Sequence, residues 1–369
     1  MLNLSATQKA VLALFAIFLM SELDEEDLQP YYSDGGKATH VRFLLHEARP
    51  ELFREATGLE RPTFDALVKE VTSKGLLEDG RYFHRFLEVL VTLYPKYVNL
   101  TPKEDVSERL SDPKYHSFKK CLGALDGVMI PITLPMSQQP AYRNRKGFIA
   151  QNVIAVCNFD LKFLYVLAGW EGSAHDSRVI ADAFNKGLSI PEGQFYLADA
   201  GYALQKGLIT PFRGVRYHLK EQATCSLKPA NPKELFNLRH ASLRNVVERI
   251  FGCLKSKFKI LTTPSEHNIH SQVQLVYAIT MLWNFLRHHD QYEEIPDLEE
   301  REDSDEEIDE DRSPNAPGKR FRRSRAEDAA QVSKQNRMSE KMWNQYQQHC
   351  SQKIANLCIL LPRMVFLAI

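Results

Sequence analysis

LGALDGVMIPITL, residues 122–134, is the stretch on which the reading of this chain turns. Upstream of it the apolar residues recur at helical spacing. Here they become nearly continuous and rich in branched side chains, the pattern of a buried strand. FIAQNVIAVCNF (148–159) and KFLYVLAGW (162–170) repeat that pattern, and residues 158–162 between them predict a hairpin turn. A helix is expected over 176–186, a short buried strand over QFYLADAGY (194–202), and a long helix over 232–260. That helix carries Phe236, Leu243, Val247, Ile250, Phe251, Leu254 and Phe258 on one stripe. Three strands, a helix, a strand and a long helix give an α/β class with a mixed sheet. Residues 1–111 read as helical, with apolar stripes at Leu12, Phe15, Ala16 and Leu19, at Pro62, Phe64, Leu67, Val68 and Val71, and at Phe83, Phe86, Leu87, Leu90, Val91 and Tyr94.

A chain of 369 residues with 44% hydrophobic side chains has room for two domains and a sizeable core. Its six cysteines form no C-x-x-C pair, which argues against a zinc site or a disulfide framework and favours a reduced compartment. The apolar run 10–20 is too short to span a bilayer and has no basic leader, and the apolar end 354–369 is interrupted by Pro362 and Arg363. No membrane attachment is therefore expected.

The net charge of zero, from 47 basic and 47 acidic residues, hides segregation. Residues 112–290 hold 22 Lys and Arg against 13 Asp and Glu, a surplus of nine, whereas residues 293–311 hold 13 acids and only Arg301. The acidic run has almost no apolar residues, so 291–318 reads as a disordered linker. It is followed by KRFRRSR (319–325), a run that fits nuclear localisation or nucleic-acid contact. The expected division is a helical region 1–111, an α/β domain 112–290, the linker 291–318 and a basic signal with tail 319–369.

Three carboxylates occupy positions awkward for packing. Asp126 interrupts an apolar strand, Asp199 ends the strand FYLAD, and Glu248 lies in NVVERIFG between Val247 and Ile250. Carboxylates in such places are rare unless paired or bound to metal. Each also has an ordinary explanation: a hairpin turn at Asp126-Gly127, a strand-end cap at Asp199, and an ion pair of Glu248 with Arg244 four residues earlier.

Taken together with GALDGV (123–128), YRNRKGF (142–148), GWEGSAHDSRV (169–179), LADAGY (197–202) and RNVVERIFGCLKSKF (244–258), the segment 121–261 resembles the catalytic domain of PIF/Harbinger-type transposases of the DDE superfamily. The resemblance implies an RNase H-like mixed sheet preceded by a helical DNA-binding region. It also implies metal-dependent cleavage of DNA phosphodiester bonds, with Asp126, Asp199 and Glu248 as the catalytic, metal-binding triad. Cleavage of this kind is expected to use two divalent ions, Mg²⁺ or Mn²⁺, and hard oxygen donors suit both metals. His175 and Asp176 form a supporting pair, with Asp176 the expected N-cap of the following helix. Arg143, Arg145 and Lys146 in one loop, and Arg244, Arg249 and Lys255 along the Glu248 helix, are candidate DNA-phosphate contacts. His267 and His270 have no companion ligands and are not read as a metal site.

The chain departs from the family ahead of the core. SKGLLEDG (73–80) runs directly into RYFHRFLEVLVTLYPKY (81–97), and eight residues are too few for the turn and two helices of a helix-turn-helix segment. The resemblance further implies a DNA substrate and, as in many family members, a Myb-like DNA-binding partner protein, while the expected nuclear location rests on the basic run 319–325. It leaves a homo-oligomer open.

Overall fold

A computed structural model of the chain describes residues 43, 47–57, 59–73, 82–100, 107–215, 228–265, 267–289 and 325–365. The stripe at Leu12, the segment 74–80, the acidic linker and nearly all of the basic run 319–325 lie outside the described residues.

Three helices come first: α1 (Pro50–Thr57), α2 (Arg61–Ser73) and α3 (Tyr82–Tyr97). The central domain then builds a five-stranded mixed sheet from β1 (Cys121–Pro131), β2 (Ala150–Cys157), β3 (Phe163–Glu171), β4 (Phe195–Ala198) and β5 (Leu208–Ile209), in the order β3-β2-β1-β4-β5. β1 and β2 pair antiparallel, as do β2 and β3, while β4 lies parallel to β1 and β5 parallel to β4. The predicted turn between β2 and β3 is built by Asn158, whose Oδ1 accepts from the amides of Asp160 at 3.1 Å and Lys162 at 2.9 Å.

The longer helices that follow are α4 (Asp176–Asn185), α5 (Pro232–Lys257), α6 (Ile269–His289) and α7 (Arg325–Val365), apart from short turns such as Gln139–Tyr142. Alternate strand residues send their side chains to opposite faces. Ala124, Val153, Ala155 and Leu197 meet α5 and α6 on one face, and Leu125, Ile154, Val156 and Tyr196 meet α4 on the other.

Helix α5 begins at a sequence-encoded cap. Asn231 Oδ1 accepts from the Glu234 amide at 2.9 Å, its own amide reaches the Glu234 carboxylate at 3.0 Å, and Pro232 opens the first turn. All seven residues of its predicted apolar stripe are buried. Each side chain of that size stabilises by about 1.5–3 kcal/mol relative to exposure, so the helix is fixed in rotation as well as in place. Its polar residues tie down the far edge of the sheet. Asn237 accepts from Phe212 N at 2.8 Å and donates to Phe212 O at 3.0 Å, and His240 bonds Ile209 O at 3.0 Å.

Three elements differ from the sequence reading: the two-residue strand β5, which it lacks, and two helices. Helix α6 is missing from it because Ser271, Gln272, Thr280 and Asn284 interrupt the apolar pattern; all four are buried, with Asn284 bonding both N–H and C=O of Phe163. The C-terminal segment, read as a basic signal with a tail, forms the 41-residue helix α7 over Arg325–Val365. It buries Met342 completely, and Gln335 donates to Thr210 O at 2.6 Å, so this helix shares the core of the sheet domain.

Candidate active site

The register of the parallel pair positions the first two acids. Leu125 pairs with Ala198, which brings Asp126 beside Asp199 at the point where β4 ends. By alternation both project to the face covered by α5. Asp126 is mid-strand, paired with Ala155, so the hairpin-turn explanation of Asp126-Gly127 does not apply. Asp199 turns the chain out of the sheet: its Oδ2 accepts from the Gly201 amide at 3.1 Å, an Asx-type turn.

Helix α5 delivers the third acid. Glu248 is on its solvent side with its side chain 51% exposed, so it is not the buried carboxylate that its neighbours Val247 and Ile250 suggested. The reason is the 3.6-residue period, which sends those two into the core and rotates Glu248 to the rim.

Between the acids lies Arg244. Its Nη1 donates to Asp126 Oδ2 at 2.6 Å and its Nη2 donates to Glu248 Oε1 at 2.5 Å. The expected i, i+4 pair with Glu248 is present, and the same guanidinium also reaches the strand. Burial pushes the Asp126 carboxyl up to about 7; Arg244 and the Gly127 amide oppose this, while the charges of Asp199 and Glu248 reinforce it. That mutual influence places the three carboxylates in one electrostatic neighbourhood.

The opposite face of β1 carries a second polar group, of which sequence reasoning named only Asp176 as a site residue. A Cβ added to Gly127 would lie 3.2 Å from the Tyr202 hydroxyl, 3.4 Å from Asn152 Oδ1 and 3.8 Å from Asp176 Oδ1. Gly127 thus leaves the space in which three polar groups converge beneath Asp126. Burial raises the Tyr202 hydroxyl far above its ordinary range, helped by the charges of Asp126, Asp176 and Asp199. Asn152 is buried with neither side-chain atom hydrogen-bonded. The motif residues Gly127 and Tyr202 were visible as part of GALDGV and LADAGY, but no periodicity marks Asn152.

The expected capping role of Asp176 is not realised. His175, exposed and without a side-chain capping bond, is the N-cap, and Asp176 is the first helical residue. Its charge there favours the helix N-terminus while its carboxylate approaches Gly127.

The basic candidates separate into three groups. Arg143, Arg145 and Lys146 are exposed on the 143–148 loop, which is held by buried Asn144 accepting from Phe148 N at 3.2 Å. This loop follows the C-terminal end of β1, about 17 Å along the strand from Asp126 at ~3.3 Å per residue. Arg244 is at the acids themselves. Lys255, half-buried and lowered by burial alone, sits seven residues beyond Glu248, close to the same helical stripe. Arg249 instead lies near Cys253, where Arg287 of α6 also acts.

In donor chemistry the three acids suit a hard divalent ion. As arranged, no group of three His, Cys, Asp or Glu side chains forms a cation cage among the described residues. Asp126 and Glu248 are instead satisfied by Arg244, so closing all three acids around an ion requires that guanidinium to leave.

Comparison with known proteins finds similarity over this part of the chain. Residues 125–284 match the family described as DDE superfamily endonuclease. The chain is 25% identical over 216 residues to the human protein named "Putative nuclease HARBI1", covering 56% of this chain and 53% of that protein. It is 25% identical over 182 residues to the rat protein of the same name, covering 47% and 48%. It is also 27% identical over 169 residues to "Protein ALP1-like" of Arabidopsis thaliana, covering 40% and 38%. The chain spans about half the length of the HARBI1 proteins it matches. No solved structure matches it.

Proposed function

We propose, from the match of residues 125–284 to the family described as DDE superfamily endonuclease, that the chain is a metal-dependent DNA endonuclease of PIF/Harbinger transposase descent. The observation that carries the proposal is the register that sets Asp126 beside Asp199 on parallel neighbours, with Glu248 brought to them by the helix across that face. The sheet order, with its antiparallel β3-β2-β1 half joined to a parallel β4-β5 half, supports an RNase H-like reading of the module.

In this reading Asp126, Asp199 and Glu248 would hold two Mg²⁺ or Mn²⁺ ions. Ions held there would supply activation of a water or 3′-hydroxyl and stabilisation of the leaving oxygen of the phosphodiester. The chain's own residues supply position. Asp126 is rigid because its strand is paired on both sides, and Asp199 is locked by its turn. Arg143, Arg145 and Lys146 contact backbone phosphates at the same end of the sheet without reading sequence. Tyr202 and Asp176 support the strand from behind.

Among the described residues no helix is long and apolar enough to cross a membrane. A nuclear location follows the basic run 319–325, and dependence on a Myb-like DNA-binding partner or on a second copy of the chain is carried from the family resemblance.

The test is cleavage of duplex DNA in Mg²⁺ or Mn²⁺ by the wild-type chain and by Asp199→Ala. Cleavage by the wild type alone is expected. Equal cleavage by both proteins, or none by either, overturns the catalytic reading.

One observation favours a second reading, a transposase descendant that binds DNA or protein without cutting: Arg244 occupies the space among the acids. That reading predicts salt-sensitive DNA binding lost on Arg143→Ala and Arg145→Ala and indifferent to the carboxylates.

A further inference from the structure

We infer that Arg244 is the site's own removable counter-cation: its guanidinium stands between Asp126 and Glu248 where a divalent ion would have to bind, so that metal loading and release of Arg244 are a single exchange. The inference rests on reading the three acids as a metal site, and it explains why those acids do not form a cage while Arg244 is in place.

The geometry is that of a bridge, with two N–H groups of one planar fork each reaching a different carboxylate at 2.6 and 2.5 Å. Arginine keeps its charge across the accessible pH range, so the competition is permanent and only an incoming cation or anion can relieve it. The two arms differ in strength. Asp126 and Arg244 have side chains 22% and 16% exposed, and their pair is shielded from solvent, whereas Glu248 is 51% exposed. A solvent-facing ion pair contributes little, so the Glu248 arm opens first and the Asp126 arm sets the cost of exchange.

Release also leaves Arg244 useful. It remains one turn from Glu248 on the stripe that Lys255 continues, so a freed guanidinium and the half-buried Lys255 ammonium flank the acids on one line along α5. A DNA phosphate entering beside the metal would find both, and substrate and ion would then promote the same exchange.

The competing cation lowers the apparent metal affinity by the fraction of molecules in which the bridge is closed. Mn²⁺ binding to the full chain, read from the electron paramagnetic resonance signal of the free ion, tests this in the wild type, Arg244→Gln, Arg244→Lys and Asp199→Ala. Arg244→Gln is expected to bind at least about tenfold more tightly than wild type, as for loss of a charge-assisted competitor. Arg244→Lys, a point charge that cannot span both acids, is expected between the two, and Asp199→Ala is expected to lose binding. Metal-free Arg244→Gln should melt below wild type and gain more on adding Mn²⁺. If Arg244→Gln fails to fold, the comparison rests on Arg244→Lys.

Affinity in both Arg244 variants equal to or weaker than wild type, with loss in Asp199→Ala, overturns the counter-cation and leaves the metal site standing. Wild-type affinity in Asp199→Ala, or no Mn²⁺ binding by any of the four proteins, overturns the metal reading and the exchange with it.

Discussion

The two halves of the sheet are held together by different means. The antiparallel half, β3-β2-β1, is long, and its ladders run over most of each strand. The parallel half is short: β4 has four residues and β5 only two. Side chains make up the deficit. His240 and Gln335 donate to Ile209 O and Thr210 O, and Asn237 brackets Phe212. The candidate site lies on the seam, with Asp126 from the long half and Asp199 from the short one. Backbone pairing therefore fixes one acid, while the other depends on helices α5 and α7 holding the strands beyond it.

The sharpest way to break this comparison is in the long half. Gly123 has φ +155°, and a Cβ there would come within 1.9 Å of Cys157 O, so Gly123→Ala forces the β1-β2 ladder apart at its first pair. A loss of about 4 kcal/mol or more in urea unfolding is expected, because backbone on a paired strand cannot yield as a flexible side chain can.

The short half answers to pH. Burial holds His240 down to about 4, below the ordinary imidazole value of 6.5. A depressed base gives stability that is complete above 6.5 and is lost as pH falls toward 4, up to about 3 kcal/mol. Urea unfolding from pH 7 to 4.5 should show a steeper loss for wild type than for His240→Gln, whose amide still donates to Ile209 O without titrating. Parallel slopes would remove His240 from the account.

Gln335→Ala is the smallest perturbation. It deletes the bond to Thr210 O from buried surroundings and should cost about 1–2 kcal/mol. Amide exchange should quicken at Leu208 and Ile209 and stay unchanged at Val153 and Ile154. Uniform quickening would show that the two halves open as one unit.

Legibility in the sequence follows the same division. The long strands and helices α3 to α5 were readable because their apolar periods extend over many residues. The two residues of β5 are too few to carry a period, and α6 was hidden because its buried Asn284 and Gln272 serve backbone groups 121 and 139 residues away. At the site, Asp126, Asp199 and Glu248 were legible as carboxylates in apolar surroundings or in recognised motifs. Arg244 was legible only as the i, i+4 partner of Glu248 and as one more basic residue. Asn152 was not legible at all, since a buried amide inside an apolar strand carries no local signature.

Sequence by itself determined the α/β class, the order of the long strands and of the helices it could read, the segregation of charge behind a net of zero, and the presence of three carboxylates in or beside apolar runs. Those are properties of local periodicity and composition. Tertiary structure alone decided that Asp126 and Asp199 share a face, that Glu248 stands at the rim, that α7 belongs to the core, and that Arg244 spans two acids 122 residues apart in the chain. Each of these is set by strand register or helix rotation, which depends on what packs against the element and not on the residues within it.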